Sequence, residues 1–387
     1  MNTATYENEA EYRAGCQAKS GVKSSAKYHV MFRILIAMAM AFCLTPKCLA
    51  ALPDLVPGYN IELPRDGGSH PEFTTEWWYL TGWLHDANGQ RRGFQVTFFR
   101  SRNALADANP SRFAPRQILF AHAALSDPKA NRLLRGERTA RAGFGLAAAE
   151  QGSLAVRIDD WSLSQDDNAD GTHLITSIAT DEFSLSLKLQ TTQAILLNGD
   201  KGFSRKDPDP KAASYYYSLP QLRVQGTIAL NGSTLAVTGD AWFDHEWSNA
   251  YLDPDSVGWD WIGINLGRSD ALMLFRMRDA QGKQRWAGGT LRRGEKTQTL
   301  TPEQIAWTPL RQWRSSRTGV TYPIAWHVRF GEQQIILRPL MDDQENDARG
   351  SVGILYWEGA VEAMDEEGSL LGRGYLELTG YGEPTKF

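Results

Sequence analysis

Three short segments of the chain combine tryptophan with ionisable side chains, and they are the first candidates for chemistry. They are His70–Tyr79, Ala241–Trp247 and Gly258–Trp261. In an extended strand, successive side chains point to opposite faces. The second segment would therefore place Phe243, His245 and Trp247 on one face, and Asp244 and Glu246 on the other.

The third segment follows the same rule, with Trp259 and Trp261 on one face and Asp260 on the opposite face. One face of each strand would then be aromatic, with at most one titratable group. An apolar ligand pocket with a single polar group has this composition. We predict that Trp77, Tyr79, Phe243, Trp259 and Trp261 bind the apolar ligand.

Such a pocket suits proton-initiated chemistry on an alkene. A carboxyl group surrounded by apolar side chains has a raised pKa and can donate a proton near neutral pH. A tryptophan ring stabilises a nearby cation, and a histidine can accept or relay a proton. The structural alternative is that these tryptophans only fill a barrel, while Asp244 and Glu246 are solvated or paired with an arginine such as Arg205.

Several other kinds of site are absent from the sequence. There is no G-x-S-x-G, no phosphate-binding G-x-x-x-x-G-K and no C-x-x-C. His245 and Glu246 begin an H-E-x-x-H pattern, but Asn249 stands where the second histidine is required. We therefore predict neither a metal nor a cofactor. No basic stripe marks a nucleic-acid surface, so nucleic acid is not an expected partner.

The first 50 residues read as a secretory signal peptide. Arg33 precedes an apolar run, Ile34–Leu44, that is too short to span a bilayer, and the small residue Ala50 is the expected cleavage point. Met31 would be a more ordinary start. All three cysteines lie in this segment, so the remaining chain would hold no disulfide. We predict a periplasmic or secreted protein with no transmembrane segment after cleavage.

The rest of the chain predicts an all-β protein made of two antiparallel β-barrels packed together. Short runs with period-two hydrophobicity, such as Phe183–Leu189, are separated by turns such as Asn231-Gly232. Helical periodicity is nearly absent, with one short turn expected at Leu300–Ile305. We place one domain at 51–250 and a second at 251–387, because Asp253-Pro254-Asp255 interrupts the strand pattern.

These segments also carry a family resemblance. The sequence resembles the AttH-like, carotenoid 1,2-hydratase-like family, whose members are often described as predicted secreted hydrolases. The resemblance rests on nine motifs in order: His70–Tyr79, Gly93–Arg100, His122-Ala123, Asn198–Asp200, Tyr216–Ser218, Asp244–Trp247, Gly258–Trp261, Tyr356–Gly359 and Gly374–Tyr381.

The resemblance implies two lipocalin-like domains with an apolar cavity in or between them. It also implies relatives that hydrate or cyclise isoprenoid skeletons. By position, the catalytic residues implied here are His245, Trp247 and Asp260.

The leading hypothesis is an exported lipocalin-fold protein that binds a hydrophobic lipid or isoprenoid, with alkene hydration (a lyase reaction) as the candidate activity. A non-catalytic periplasmic lipid carrier that serves an envelope transporter would use the same cavity without an acid. A hydrolase is implied by the family description alone, since no nucleophile constellation supports it.

Overall fold

The computed structural model describes residues 52–107, 109–168 and 171–385. Residues from Ala51 onward form one compact unit. The predicted signal peptide lies outside the described residues. Within the described ranges, no helix combines the length and hydrophobicity needed to cross a membrane.

The first of two antiparallel sheets holds thirteen strands in the described part of the chain. They are β1 (Thr75–Asp86), β2 (Arg91–Arg102), β3 (Gln117–Asp127), β4 (Arg132–Arg141), β5 (Ala147–Ala149), β6 (Ala155–Ile158), β7 (Trp161–Asn168), β8 (Gly171–Ala179), β9 (Phe183–Gln190), β10 (Leu196–Leu197), β11 (Phe203–Arg205), β12 (Ala213–Leu230) and β13 (Ser233–Ala250). Their spatial order is β4-β3-β2-β1-β13-β12-β9-β8-β7-β6-β5, and β10 and β11 pair with β12.

The second sheet holds the other ten strands of the described chain. They are β14 (Gly258–Leu266), β15 (Asp270–Arg278), β16 (Gln284–Arg293), β17 (Lys296–Leu300), β18 (Ile305–Arg314), β19 (Thr321–Phe330), β20 (Gln333–Pro339), β21 (Glu345–Ala348), β22 (Ile354–Met364) and β23 (Leu370–Thr379). Their order is β17-β16-β15-β14-β23-β22-β20-β19-β18, and β21 pairs with β22.

Helical structure in the described residues is confined to single turns. These are α1 (Ala104–Asp107) and two 3-10 turns, Arg65–Gly67 and Pro302–Gln304. The second 3-10 turn coincides with the helical turn predicted at Leu300–Ile305. The β12–β13 hairpin also forms as predicted, because Asn231 and Gly232 both adopt positive φ (51° and 74°), which a tight two-residue turn requires.

Both sheets curl into barrel-like units, which confirms the predicted fold class. A core of apolar side chains fills each unit. A third buried cluster draws members from both sheets, including Tyr79 and Trp242 from the first and Trp261 and Phe275 from the second. This cluster is therefore the seam along which the sheets pack. The last strand of the first sheet ends at Ala250 and the second sheet begins at Gly258, but the division into two domains stays a prediction.

Candidate active site: a carboxyl pocket between the two sheets

A small pocket within the seam gathers acidic and aromatic side chains from both sheets. Its volume is about 40 Å³, enough for a water molecule. It is lined by Trp77, Tyr79, Thr97, Phe99, Tyr216, Asp244, Glu246, Tyr251, Trp259, Trp261, Tyr356, Glu358 and Glu377. Four of these residues are carboxylic acids, and arginine and lysine are absent from the lining.

Two of the acids form a side-by-side pair on the second sheet. Glu358 on β22 lies directly opposite Glu377 on β23, which sets their Cβ atoms about 5 Å apart. Trp261 on β14 is the other cross-strand neighbour of Glu377. Two carboxyl groups this close cannot both ionise cheaply in a buried site, so one of them retains a proton.

The surroundings of the pair decide which carboxyl is the stronger acid. Burial, together with the charge of Glu377, raises the pKa of Glu358 well above its usual range. Burial also raises the pKa of Glu377 to about 7, against the lowering effect of a 3.0 Å hydrogen bond from Trp259 Nε1. Glu358 is thus the protonated member near neutral pH, while Glu377 is poised between its two forms.

Glu358 also carries an unused polar atom. Its Oε1 is buried and has no hydrogen-bond partner of normal geometry among the described residues, although the Tyr79 side chain interacts with this carboxyl and lowers its pKa slightly against the effect of burial. The hydroxyl of Tyr79 is likewise buried without a partner of normal geometry, although burial and the nearby Glu358 raise its pKa well above 10. Unpaired buried polar atoms are rare because desolvation makes them costly. Both atoms face the same pocket, so a ligand or water bound there could supply the hydrogen bonds that they lack.

The first sheet contributes Asp244 on the facing wall. Its carboxylate accepts hydrogen bonds from Ser218 Oγ (2.5 Å), Tyr216 Oη (2.8 Å) and Trp242 Nε1 (2.7 Å). Burial raises the pKa of Asp244 to about 7 although these three donors lower it. Trp261 Nε1 donates to Tyr216 Oη at 2.9 Å, so the seam itself holds this wall in place.

Glu246, two residues further along β13, is instead paired with a buried lysine. Lys206 Nζ lies 2.6 Å from Glu246 Oε1, and the ring centroids of Tyr216, Tyr251 and Phe275 lie 4.3–5.0 Å from the same nitrogen. Burial lowers the pKa of Lys206, and Glu246 opposes that shift. The structural alternative for Asp244 and Glu246 was that they are solvated or paired with an arginine such as Arg205; Glu246 instead forms its ion pair with Lys206, the next residue along the chain.

An aromatic group stands at the mouth of the pocket. Tyr251 packs edge-on against Trp77 and Trp259, with centroids 4.7 Å and 5.4 Å apart. Tyr251 lies in the segment between β13 and β14, the connection between the two sheets. All three rings line the pocket, and Trp77 alone among them is partly exposed, which is the basis for placing them at its mouth.

A chain of hydrogen bonds leads from the pocket to the surface through Tyr356. Tyr356 Oη lies 2.8 Å from His122 Nδ1, His122 Nε2 lies 2.9 Å from Ser351 Oγ, and Ser351 Oγ donates to Glu137 at 2.6 Å. Burial lowers the pKa of His122 to about 3, so this histidine is neutral. A neutral ring that donates to Ser351 must accept from Tyr356, which orients the tyrosine hydroxyl.

The structure brings four of the five predicted ligand-binding residues together. Trp77, Tyr79, Trp259 and Trp261 all line the pocket. Phe243 does not, because it points to the opposite face of β13 and packs in the core of the first sheet. The strand alternation predicted from the sequence is therefore correct, and it separates Phe243 from the other four.

His245 and Trp247 share that inward face of β13. His245 Nε2 lies 2.9 Å from Glu76 Oε1, and Trp247 stacks on His70 with centroids 3.9 Å apart. His70 Nδ1 is also 2.7 Å from Glu76 Oε1, while Arg100 Nε donates to Glu76 Oε2 at 2.7 Å. We call these four, His70, Glu76, Arg100 and His245, the inner network.

A metal ion is a possible occupant of the inner network by residue type alone. The ligand atoms of His70, Glu76 and His245 lie within 4.8 Å of one another. Glu76 already accepts a charged hydrogen bond from Arg100. Burial raises its pKa, but His245, His70 and Arg100 together hold that pKa well below the usual range. The geometry is that of a satisfied ion-pair network, since a metal ion would have to break these short hydrogen bonds.

Asp260 lies in neither the pocket nor the inner network. Arg276 Nε and Arg278 Nε bond its two oxygens at 2.6 Å and 3.0 Å, and Tyr381 Oη donates at 2.9 Å. Because Asp260 points away from Trp259 and Trp261, it faces the interior of the second sheet. The structure thus brings His245 beside Trp247, with ring centroids 4.9 Å apart, but places Asp260 elsewhere, and the catalytic roles of all three stay a prediction.

The sequence reading missed Glu358, Glu377 and Lys206. The first two belong to motifs that carried the resemblance, and each lies on the same strand face as a tyrosine two residues earlier, Tyr356 and Tyr375. An acid at an inward-facing position of a buried strand was the available signal. Lys206 follows the short strand β11 and carries no such pattern.

Fold and site together define a class of protein: two curled antiparallel sheets joined along an aromatic seam that encloses a carboxyl pocket. A family model described as AttH-like matches residues 54–381, and the chain belongs to the AttH-like family. A comparison with curated proteins gives no significant match.

Solved structures give the same fold. A crystal structure of an AttH protein from Nitrosomonas europaea is 46% identical with a TM-score of 0.79, covering 85% of this chain and 100% of that one. Kievitone hydratase from Nectria haematococca is 17% identical with a TM-score of 0.61, covering 86% and 94%. CghA is 12% identical with a TM-score of 0.51, covering 86% and 96%. At such low identities, the last two show the shared fold alone.

Proposed function

We propose that this protein hydrates a carbon–carbon double bond of a hydrophobic small molecule of isoprenoid type, with Glu358 as the proton donor. The observation that carries the proposal is the cross-strand pair of Glu358 and Glu377 in an aromatic pocket, where Glu358 Oε1 lacks a hydrogen-bond partner of normal geometry. A general acid must be protonated at the working pH and must face the substrate. Glu358 meets both requirements, whereas His245 and Asp260 are engaged elsewhere.

The proposed reaction conserves all atoms and protons. Glu358 transfers its proton to one alkene carbon, and the positive charge develops on the other carbon. The faces of Trp259, Trp261 and Tyr79 stabilise that charge. Water then attacks the cation while the Glu377 carboxylate accepts the released proton, which gives an alcohol. The proton returns from Glu377 to Glu358, so the pair ends in its starting state.

The size of the pocket limits how the substrate binds. At about 40 Å³ it is far below the several hundred cubic ångströms of typical ligand sites. We infer that the substrate displaces the mouth rings Trp77, Tyr251 and Trp259 and inserts only its reactive end. This favours an enzyme over a lipid carrier, because a carrier needs a preformed volume for the whole ligand. The printed name of kievitone hydratase, a distant structural neighbour, supports the reaction class but not the substrate.

The test is turnover in heavy water with a panel of unsaturated terpenoids, including geraniol, linalool and squalene. Mass spectrometry would follow the gain of D2O across a double bond. We expect a product from the wild type and a loss of about 100-fold or more in Glu358→Gln, the size typical of losing a general acid. Glu332→Gln, at an exposed turn, is the matched control and should keep wild-type turnover.

The outcomes separate the rival readings. Equal binding of the terpenoids by wild type and Glu358→Gln with no product from either would favour the non-catalytic carrier, including one that serves an envelope transporter. Product formed equally by Glu358→Gln and wild type would overturn the role of Glu358. Hydrolysis of a terpenoid ester without hydration would favour the hydrolase.

We also propose export, from the signal pattern in residues 1–50. N-terminal sequencing of the protein from the envelope fraction of an expressing bacterium tests it. A mature chain that begins at Ala51 is the expected result, and an uncleaved chain retained in the cytoplasm would contradict it.

A further inference from the structure

A second and larger cavity lies on the seam, and it shares none of its lining residues with the carboxyl pocket. This cleft has a volume of about 600 Å³, within the range of small-molecule sites. Its floor includes Trp83, Trp242 and Tyr375, which belong to the aromatic cluster between the sheets. Both sheets contribute to its walls, so the cleft exists only because the two sheets are packed together.

The cleft is strongly basic in a chain whose formal net charge is −4. Four arginines line it, Arg91, Arg223, Arg268 and Arg373, against one carboxylate, Asp240. An adjoining depression of about 330 Å³ shares Arg223 and Asp240 and adds Lys188. A concave surface of one charge sign concentrates ions of the opposite sign. The cleft is therefore locally positive although the net charge of the chain is negative.

Two of the arginines are held in place on one wall. Arg91 and Arg373 both lie over the ring of Trp83, at 5.8 Å and 5.3 Å, and both contact Glu362. Trp83 is itself fixed across the seam, because its Nε1 donates to the carbonyl of Gly374 at 3.0 Å. These guanidinium groups are positioned but already share one counter-ion.

The other two arginines have no counter-ion. Neither Arg223 on β12 nor Arg268 in the β14–β15 turn has a carboxylate within ion-pair distance among residues 52–107, 109–168 and 171–385; Asp240 lies opposite Arg223 in register without forming an ion pair. Gln221 ties the two segments together, with its Nε2 donating to Asp270 O at 2.9 Å. The two free guanidinium groups are thus brought to one cleft by a specific contact between the sheets.

We propose that this cleft binds a small organic anion that carries two or more carboxylate or phosphate groups. A guanidinium group binds either oxyanion through two parallel hydrogen bonds. Arg223 and Arg268 supply two such forks without competition, and Arg91 and Arg373 add positive charge from the opposite wall. A concave cleft of this volume fits a small molecule better than a flat polyanion. The proposal is independent of the hydration reaction.

The test is isothermal titration of the full protein with citrate and with inorganic phosphate at low ionic strength. We expect citrate to bind, and the double variant Arg223→Gln/Arg268→Gln to weaken it by at least tenfold. The matched control Arg329→Gln/Arg338→Gln removes two exposed arginines of β19 and β20, outside the cleft. It makes the same change in net charge and should bind citrate as the wild type does.

Each result has a defined meaning. If the wild type binds both citrate and phosphate, and only the cleft variant loses this binding, the cleft is a site for oxyanions in general. If the wild type binds citrate but not phosphate, the cleft is a carboxylate site. Equal loss in both double variants would show that net charge alone governs binding and would overturn the proposal, as would an absence of citrate binding to the wild type. The Glu358→Gln variant should bind citrate normally, which keeps this result separate from the proposed hydration.

Discussion

The inner network and the carboxyl pocket are both buried and both rich in ionisable groups, yet they treat charge in opposite ways. In the inner network, Glu76 is surrounded by Arg100 and two histidines, and both of its oxygens are bonded. In the pocket, Glu358 faces another carboxyl, and one of its oxygens lacks a hydrogen-bond partner of normal geometry. A buried charge with every partner present stabilises one conformation, whereas like charges without partners cost stability. The comparison is the reason why the carboxyl pocket, rather than the inner network, is the site proposed for chemistry.

The largest effect should come from breaking the inner network at Arg100. Its side chain is fully buried and also donates to the carbonyl groups of His70 and Phe73. Arg100→Met leaves Glu76 buried without its main cation, so we expect the free energy of unfolding to fall by about 3–5 kcal/mol. Urea denaturation measures this.

A neighbouring arginine serves as the control for that variant. Arg102 lies two residues further along β2 and is partly exposed. Arg102→Met should cost about 1 kcal/mol or less. If Arg100→Met were no worse than Arg102→Met, the inner network would not be the structural element that its contacts indicate.

His70, one of the two histidines of the inner network, should make the free energy of unfolding depend on pH. Bonds to Asp66 and Glu76 raise the pKa of His70 to about 9, although burial opposes them. Because the folded state binds this proton more tightly than the unfolded state, the stabilisation is complete below about pH 6.5 and is lost as the pH rises through 9. We expect a loss of about 2–3 kcal/mol across that window.

The variant His70→Gln isolates this contribution. It lowers stability, and its unfolding free energy should fall by about 2–3 kcal/mol less than that of the wild type between pH 6.5 and 9; the raised pKa values of Glu358, Glu377 and Asp244 leave the remaining slope. Urea denaturation at a series of pH values gives the slope. A slope equal to that of the wild type would mean that His70 is not the titrating group.

The carboxyl pocket should also make the free energy of unfolding fall as the pH rises, but in a lower pH range. The pKa of Glu377 is raised from 4.5 to about 7, chiefly by burial. Its protonated form is therefore favoured by folding, and stability falls as the pH rises from about 4.5 through 7. Glu377→Gln should remove about 1–3 kcal/mol of that fall, a range that allows for its partial exposure to solvent.

Asp244 provides the internal control for this variant. Its pKa is also raised to about 7, so some of the fall should persist in Glu377→Gln and become smaller in a double variant with Asp244→Asn, where Glu358, whose pKa is raised as well, supplies the remainder. A wild-type stability that rises between pH 4.5 and 7 would contradict the assignment of both groups.

The contrast between the two regions also explains which features of the site could be predicted from the sequence and which could not. Hydrophobic alternation correctly divided β13 into a face with His245 and a face with Asp244. It could not say which face meets the seam, because a strand packed on both sides is apolar or aromatic on both faces. The reading that favoured His245 selected the face that turns into the first sheet.

The register between paired strands was the second feature that the sequence could not predict. Glu358 and Glu377 are 19 residues apart in the sequence, and their pairing depends on the alignment of β22 with β23 across a turn. A shift of one residue would send one carboxyl to the opposite face. The barrel-like fold and four of the aromatic pocket residues followed from local patterns, but the acid pair is a product of tertiary structure.

The smallest loss of stability should accompany the largest predicted loss of turnover. Below pH 4.5, Glu358 is protonated in both the folded and the unfolded state, so the neutral, nearly isosteric glutamine changes neither charge nor volume, and Glu358→Gln should alter the free energy of unfolding there by less than about 1 kcal/mol. At pH 7 only the unfolded state ionises Glu358, so the variant should be more stable than the wild type. Urea denaturation measures it under the conditions used for Arg100→Met.

This result would sharpen the comparison, because the two buried charged sites would then differ by several kcal/mol in what they contribute to folding. A stability loss in Glu358→Gln as large as that of Arg100→Met would mean that Glu358 is ionised and paired in the folded protein. It would then lack a proton to donate, and the pocket would be a second structural network rather than a reactive site.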